Sequence, residues 1–196
     1  MKVLVACERF GAVRSAFRAI GIDAWSCDTS DDIDLSPFHI KGDVLDILDD
    51  GWDMMIAHPP CTHLSVSGAH LWKKKREDGR QQAAMEFFSR LYEADIPRIC
   101  VENPVGIMTR VYGKPQYIQP WQFGHLEAKK TGLWLKGLPE LVPTDIMDKP
   151  ECGYWENQTP SGQNKLGPSK DRAMKRAKTY AGVALAMAQQ WGMEEL

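Results

Sequence analysis

The ten residues WDMMIAHPPC, from Trp52 to Cys61, contain the pattern that decides the fold of this chain. The run WDMMI is apolar, as expected of a buried strand. Two prolines then stiffen a turn that presents a cysteine and, a little further on, two more histidines. An apolar run that ends at once on a polar or reactive residue recurs along the chain. The sequence therefore predicts a sheet whose strand ends carry the chemistry.

Composition limits the classes of protein to which the chain belongs. A length of 196 residues suits a single domain, residues 1–196, with a sizeable core. The formal net charge of −2 draws the whole chain to no nucleic acid, so such a contact needs a local basic patch. No apolar run approaches the roughly 18 residues of a membrane span, and the N-terminus is too short in apolar residues for a signal peptide. Without such a span, no membrane partner is predicted. The five cysteines include no CxxC pair, which favours reduced thiols in the cytoplasm.

Apolar strand patterns alternate with helical patterns along the chain. The predicted strands are KVLVA (2–6), IDAWSCD (22–28), a short stretch from His39, WDMMIAH (52–58), IPRICVEN (96–103) and TGLWLKGLP (131–139). The predicted helices are GAVRSAFRAIG (11–21), a turn in VLDILDD (44–50), GRQQAAMEFFSRLYEAD (79–95) and AGVALAMAQQWG (181–192). This alternation predicts an α/β fold with a doubly wound, mostly parallel sheet. Ligands of such sheets bind beyond the carboxyl ends of the strands.

Acidic residues at the predicted strand ends favour an adenosyl ligand. The chain has no GxxxxGK[ST] and no GxGxxG, and the turn CERFGAVR has a single glycine, which disfavours a pyrophosphate cradle. Asp28 at the second strand end suits a ribose, and Asp43 after the third suits an adenine amino group. Ribose and adenine without pyrophosphate indicate S-adenosylmethionine. The alternative is that Asp28 caps a turn and Asp43 caps the helical turn that follows it.

Cys61 and Glu102 carry a resemblance to a known family. The sequence PPC after a strand, followed 41 positions later by VENP, resembles the C5-cytosine DNA methyltransferases. That family has a Pro-Cys nucleophile loop and a Glu-Asn-Val strand end. Pro60-Cys61 matches the first motif, and Glu102-Asn103 matches the second with Pro104 in place of valine.

Weaker matches extend the resemblance over residues 2–139 and 170–192. GAVRSAF (11–17) resembles the end of the family's cofactor loop, KKTGLWLKGLP (129–139) its basic residues before a late strand, and TYAGVALAMAQQWG (179–192) its closing helix. The combination is most similar to the short methyltransferase-like proteins of bacteriophages and prophages. It implies a Rossmann-like S-adenosylmethionine-dependent methyltransferase fold and a cytoplasmic location in a bacterial host cell.

The resemblance also implies a role for each site residue. Cys61 would add to C6 of cytosine as a covalent nucleophile, with its pKa lowered by His58 or His63. Glu102, protonated or sharing a proton, would hold the N3 and 4-amino edge of the base, and a base in a duplex would first be flipped out. The implied catalytic residues are Cys61, Glu102 and Asn103. The implied cofactor-binding residues are Cys7, Glu8, Phe10, Gly11, Asp28, Asp43, His58 and Pro59. The implied substrate- or DNA-binding residues are Pro60, Thr62, Ser65, Lys73, Lys74, Lys75, Arg76, Lys129 and Lys130.

Two departures from the family pattern bear on the substrate. Thr62 stands where the family has glutamine, and residues 140–170, rich in Pro, Gly, Asn and Lys, are predicted to form a loop or small flap. This segment is too short for a target-recognition domain. The expected substrate is therefore DNA read with little sequence choice, DNA recognised through a partner protein, or a free pyrimidine nucleotide.

Other interpretations of these residues stay open at this point. HPPC keeps the two prolines of the amino-methyltransferases, which act on N4 or N6 of a base, but it loses both of their functional ends. A cysteine after a strand is often only a small buried side chain. His58, Cys61, His63 and His70 contain zinc-ligand types, but no second ligand pair follows, so no metal is predicted. The chain is also compatible with a non-catalytic phage protein that binds a nucleotide or a partner. The basic run WKKKRE is either a solvated face or a phosphate contact.

Overall fold

The computed structural model describes residues 1–167, 169 and 176–193, and it contains one seven-stranded sheet. The strands are β1 (Lys2–Ala6), β2 (Asp23–Asp28), β3 (His39–Lys41), β4 (Met54–Ala57), β5 (Arg98–Pro104), β6 (Gln116–Ile118) and β7 (Thr131–Lys136). Their order is β3-β2-β1-β4-β5-β7-β6, in which β7 runs antiparallel to both neighbours and every other pair is parallel. The predicted α/β architecture with a mostly parallel sheet is confirmed.

Helices cover both faces of the sheet. They are α1 (Ala12–Ala19), α2 (Trp72–Glu77), α3 (Arg80–Tyr92), α4 (Thr109–Tyr112) and α5 (Ala181–Gly192), with 3₁₀ turns at Val44–Asp46, Val66–Leu71 and Pro120–Gln122. Side chains of a strand point alternately to opposite faces, so Val3 and Val5 pack with α1 and α5, while Leu4 and Ala6 pack with α3. The sheet is thus buried on both sides.

The structure differs from the predicted elements mainly at the later strands. β6 was not predicted, because its three residues include one buried position and give no periodic signal. The strand predicted for 131–139 ends at Lys136, since Gly137 turns the chain with a φ of 63°. The helical turn predicted in 44–50 is limited to Val44–Asp46.

The strand order reverses between β1 and β4, which places a crevice between their carboxyl ends. From β1 the chain winds toward β2 and β3, and from β4 it winds toward β5. This point of reversal brings Cys7, the turn after Ala57 and the end of β5 to one edge. No helix in the described ranges is long and apolar enough to cross a membrane.

Residues 140–167 form turns and isolated bridges, and they pack against the segment that precedes β7. Trp155 stacks on Trp121 with ring centroids 5.7 Å apart, and Gly124 donates its amide hydrogen to the Asp145 carbonyl at 2.8 Å. Residues 168 and 170, which complete the predicted flap, lie outside the described residues. The flap is therefore docked beside the candidate site.

Candidate active site at the carboxyl ends of the strands

Cys61 stands exposed on the turn that follows β4. The Asn103 Nδ2 donates to the Pro59 carbonyl at 3.1 Å, which links the proline turn to the end of β5. Beyond the turn, the amides of Leu64 and Ser65 both donate to the Cys61 carbonyl at 3.0 Å. The cysteine is thus presented by a turn whose backbone is held on both sides while its thiol faces outward.

Hydrogen bonds join this nucleophile loop, residues 59–66, to the segment after β5. The Val66 amide donates to Val105 at 3.0 Å, and the Ile107 amide donates to Leu64 at 2.9 Å. A Cβ placed on Gly106 would lie 2.3 Å from the Leu64 carbonyl oxygen, so only glycine permits this approach. Movements of the loop and of the β5 end are therefore tied together.

Lys75 anchors the same loop. The sequence had suggested that this lysine meets a phosphate, but its side chain is not placed to do so. The residue is 5% exposed, and its Nζ donates to the Thr62 carbonyl at 2.6 Å. A buried ammonium needs such an acceptor, which explains why this lysine turns inward. Gln81 donates in the same way to the His63 carbonyl at 3.2 Å. The three other basic residues of the run, Lys73, Lys74 and Arg76, are exposed.

Two further predicted contact residues hold the backbone. Ser65 is buried, and its Oγ caps the Val66–Leu71 turn by accepting from the Ser67 amide at 3.3 Å. Asn103, predicted as catalytic, is 2% exposed and binds Pro59 as described above. Both side chains position the loop, whereas Pro60 and Thr62 are exposed beside Cys61.

Glu102, on β5, forms an ionic cluster with His58 and Lys129. The His58 Nδ1 lies 2.8 Å from Oε2, the Lys129 Nζ lies 3.9 Å from Oε1, and the carboxylate is 13% exposed. Burial raises the pKa of Glu102, but the positive charge of Lys129 and the hydrogen bond from His58 outweigh it and lower the pKa to about 2. Burial likewise opposes the charge on His58, but Glu102 and then Glu8 raise its pKa.

This cluster changes two of the predicted roles. The low pKa of Glu102 favours its ionised form, which shares the proton of His58 through the hydrogen bond at 2.8 Å, rather than the fully protonated form. His58, predicted to contact the cofactor, binds Glu102 through one ring nitrogen. Its Nε2 is buried, with no hydrogen-bond partner among the described residues. His58 therefore links the strand that presents Cys61 to the strand that presents Glu102.

The charges around Cys61 also differ from the prediction. Desolvation is the largest effect and raises the pKa of the thiol above its ordinary value, contrary to the expected lowering, although Lys129 and then Arg176 act in the opposite direction. These two residues, rather than His58 or His63, are thus the cations that favour the thiolate. The negative charge of Glu102 also reaches the thiol, which places Cys61, Glu102 and Lys129 in one electrostatic site.

A small pocket, with a cavity volume of about 20 Å³, opens beside Glu102 and Lys129. Its remaining lining is mostly apolar and consists of Ile118, Pro120, Thr131, Thr179, Tyr180 and Val183. None of these residues was predicted, because they come from β6, β7 and the start of α5 and share no sequence motif. The Tyr180 hydroxyl donates to the Glu127 carboxylate at 2.6 Å, which fixes one wall of the pocket.

The flap and a 3₁₀ turn hold Lys129 in this position. The Lys129 amide donates to the Gln119 side chain at 3.0 Å. One residue earlier, Asn157 accepts from the Ala128 amide at 3.0 Å and donates to its carbonyl at 2.9 Å. Lys130, predicted with Lys129 to bind the substrate, instead lies 4.3 Å over the Tyr117 ring. Sequence reasoning missed Asn157, because a Pro- and Gly-rich segment gives no positional signal.

The first three strand ends meet on the other side of the crevice. Burial and the nearby carboxylates of Asp28 and Asp43 raise the pKa of the Cys7 thiol to about 12. Asp28 caps a turn through Oδ1, which accepts from Ser30 at 2.8 Å, and Asp43 accepts in the same way from Leu45 at 3.0 Å. The capping roles are thus real, and each leaves Oδ2 for a ligand.

Glu8 and Gly11, both predicted to bind the cofactor, contact the start of helix α1. The Glu8 carboxylate is 5% exposed and accepts from the amides of Val13 at 2.7 Å and Arg14 at 3.2 Å. It therefore satisfies the unpaired amides at the start of the helix. Gly11 has a φ of 63°, and a Cβ there would lie 2.2 Å from the Arg14 guanidinium. Glycine is required at this position because the backbone is left-handed and because the Arg14 side chain leaves no room for a Cβ.

The residues of the crevice fit an adenosyl cofactor in part. Asp28 and Asp43 present free carboxylate oxygens at adjoining strand ends, which suits hydroxyl and amino donors. Cys7, with a φ of 58°, lies beside them, whereas Phe10 is half-buried, Glu8 is hydrogen-bonded to α1 and Pro59 is buried. In the described part of the chain, no three His, Cys, Asp or Glu side chains are arranged to hold a metal ion.

No protein-family model matches the chain, and no curated protein matches it. Among solved structures, it is similar to the Entamoeba histolytica methyltransferase EhMeth, with a TM-score of 0.52 and 14% sequence identity. The match covers 75% of this chain and 57% of that chain, so this chain spans little more than half the length of its structural neighbour. This likeness shows the fold, a mixed α/β architecture shared with a methyltransferase.

Proposed function

We propose that the chain is an S-adenosylmethionine-dependent methyltransferase that acts on C5 of cytosine in DNA through a covalent adduct at Cys61. The observation that carries the proposal is the site formed by the exposed Cys61 thiol and the Glu102–Lys129 pair beside an open pocket. A nucleophile, a carboxylate and a cation on adjoining strand ends are the groups that pyrimidine addition needs. The fold shared with a methyltransferase supports the reaction class.

The base would lie at the small pocket beside Glu102, whose walls must move apart to admit a ring, since its cavity of about 20 Å³ holds little more than one water molecule. Its apolar walls suit a flat ring, and its two charged residues lie on one side of the space. The Glu102 carboxylate accepts a hydrogen bond from the 4-amino group of cytosine. The proton held between His58 and Glu102 and the charge of Lys129 balance the electron density that develops on the ring.

The chemistry begins at the Cys61 thiolate, which Lys129 and Arg176 favour. Its sulfur forms a bond to C6, and the electron pair of the C5–C6 double bond becomes available at C5. Asp28 and Asp43 would hold the adenosyl part of S-adenosylmethionine, which would supply an electrophilic methyl group to C5 as its methyl–sulfur bond breaks and would leave as S-adenosylhomocysteine. After C5 has taken the methyl group, a base removes the C5 proton, the double bond re-forms and the C6–S bond breaks.

The basic helix α2 supports DNA as the substrate. Lys73, Lys74 and Arg76 are exposed on the element that directly follows the nucleophile loop. In the described ranges, the docked flap of residues 140–167 is too short for a recognition domain, so the chain on its own would choose its sequence weakly, or a partner protein would choose it. An amino-methyltransferase is less well supported, because His58 at the start of HPPC is hydrogen-bonded to Glu102.

The test supplies a labelled methyl donor with duplex DNA, single-stranded DNA or deoxycytidine monophosphate in separate reactions. We expect label at C5 of cytosine in DNA. Label in the nucleotide alone would identify a nucleotide enzyme, and label on an amino nitrogen an amino-methyltransferase. Cofactor binding without any transfer would identify a binding protein.

The role of Cys61 is tested by Cys61→Ala, with the exposed free Cys152→Ala as its matched control. We expect loss of transfer in the first variant only, with unchanged cofactor binding and melting temperature. DNA that contains 5-fluorocytosine has no C5 proton to lose, so it should stay joined to the wild-type protein on a denaturing gel. Transfer by Cys61→Ala would refute the covalent mechanism.

A further inference from the structure

An open cleft of about 600 Å³ lies on the outer side of the nucleophile loop, between α2–α3 and α4. It is lined by Arg76, Gln81, Gln82, Met85, Ile107 and Arg110. Two of these residues also hold the loop, since Gln81 donates to the His63 carbonyl at 3.2 Å and Ile107 donates to the Leu64 carbonyl at 2.9 Å. The cleft therefore begins at the base of the segment that presents Cys61.

The charges of the cleft are positive. Both of its ionisable lining residues are arginines, one on α2 and one on α4, and both are exposed. In the described ranges, no carboxylate lies within 4.0 Å of either guanidinium. Glu77, the acid next to Arg76 in sequence, forms no ion pair among the described residues, and Asp78 is bound by the Arg80 Nε at 2.9 Å. The two arginines thus face the cleft without a protein counter-ion.

We infer that this cleft binds the phosphodiester backbone of a nucleic-acid strand whose neighbouring base enters the Cys61 site. Guanidinium groups match the paired oxygens of a phosphate, and the two glutamine side chains add amide groups for sugar or phosphate oxygens. The space exceeds the roughly 300 Å³ at the lower end of small-molecule pockets. The inference rests on the proposed function and deepens it, because a free mononucleotide in the Cys61 site has no second phosphate to place here.

The test measures DNA binding without a methyl donor, so that it does not depend on chemistry. A fluorescent single-stranded oligonucleotide of about 12 nucleotides is titrated by anisotropy at several salt concentrations. Arg110→Gln should weaken binding about fivefold near 0.15 M salt and reduce the slope of log K against log salt by about 0.7. The double variant with Arg76→Gln should reduce the slope by about 1.4.

Arg90→Gln is the matched control, because Arg90 is exposed on α3 and does not line the cleft. The inference is supported if the Arg90→Gln control binds the oligonucleotide as tightly as wild type. It is also supported if added deoxycytidine monophosphate leaves oligonucleotide binding unchanged. An unchanged slope in the double variant, or an equal loss in the Arg90→Gln control, would overturn it. Equal competition by the mononucleotide would also overturn it. Failure of methyl transfer with the expected slopes would instead refute the proposed reaction alone.

Discussion

Replacing Glu102 with glutamine should remove a pH-dependent part of the stability of this protein. The carboxyl has a pKa of about 2 in the folded chain against 4.5 in its ordinary state. That difference corresponds to about 3 kcal/mol in favour of the folded, ionised form. Because the folded pKa is the lower one, this stability is complete above pH 4.5 and is lost as the pH falls through about 2.

Urea denaturation of wild type and Glu102→Gln at pH 6 and pH 3 measures this contribution. Between these values the wild type should lose about 2 kcal/mol more free energy of unfolding than the variant, since the carboxyl is still partly ionised at pH 3. The exposed Glu140→Gln is the control for the same chemical change. Parallel pH profiles of the wild type and Glu102→Gln would contradict the ionised pair.

His58 gives the opposite dependence at higher pH. Its pKa is raised in the folded chain, because Glu102 and then Glu8 outweigh the effect of burial. Its contribution is therefore complete below pH 6.5, and it is lost as the pH rises through the folded value. Between pH 6 and pH 9 the wild type should lose stability that His58→Asn does not lose, and an identical loss in both proteins would refute the pairing.

Three other substitutions test the loop and the crevice. Lys75→Met keeps the buried stem but loses the bond to Thr62, so urea denaturation should show a loss of about 1.5–3 kcal/mol, and no loss would contradict this role. Gly106→Ala should cost about 1–3 kcal/mol and lower the rate of methyl transfer, because its Cβ would meet the Leu64 carbonyl, whereas Gly167→Ala meets no atom within 4 Å and should be silent. Asp28→Asn should weaken S-adenosylmethionine binding about tenfold or more in calorimetry, and unchanged affinity would remove Asp28 from the cofactor site.

The central strands could be predicted from sequence because burial on both faces makes them continuous apolar runs. β1 and β4 are fully buried for four residues each, and turn residues or prolines delimit them clearly. β6 carries only one buried residue in three, so its place depends on pairing with β7 rather than on its own composition. The position of this edge strand is therefore determined by tertiary contacts and could not be predicted from the local sequence.

The same limit applies to the candidate site. Cys61 and Glu102 were found because the first follows a strand, the second lies near the end of one, and each belongs to a short motif. Lys75 could not be distinguished from Lys73 and Lys74 in the sequence. Which of the three lysines faces inward depends on contacts with residues that are distant in the chain, such as Thr62. Glu8 was assigned to the cofactor for a similar reason, because the sequence does not show that the unpaired amides of α1 occupy its carboxylate.

The hydrogen bonds that hold the nucleophile loop have a consequence for synthesis on the ribosome. The described residues that hydrogen-bond to the loop from outside it all follow Cys61 in the chain, and they include Lys75, Gln81, Asn103, Val105 and Ile107. Ile107 is translated about 46 residues after Cys61, which takes about 2–9 s at ordinary elongation rates. During that interval the loop lacks these hydrogen bonds, and we expect the thiol to react most readily with oxidants. The yield of active protein should therefore depend on the thiol reductant present during translation.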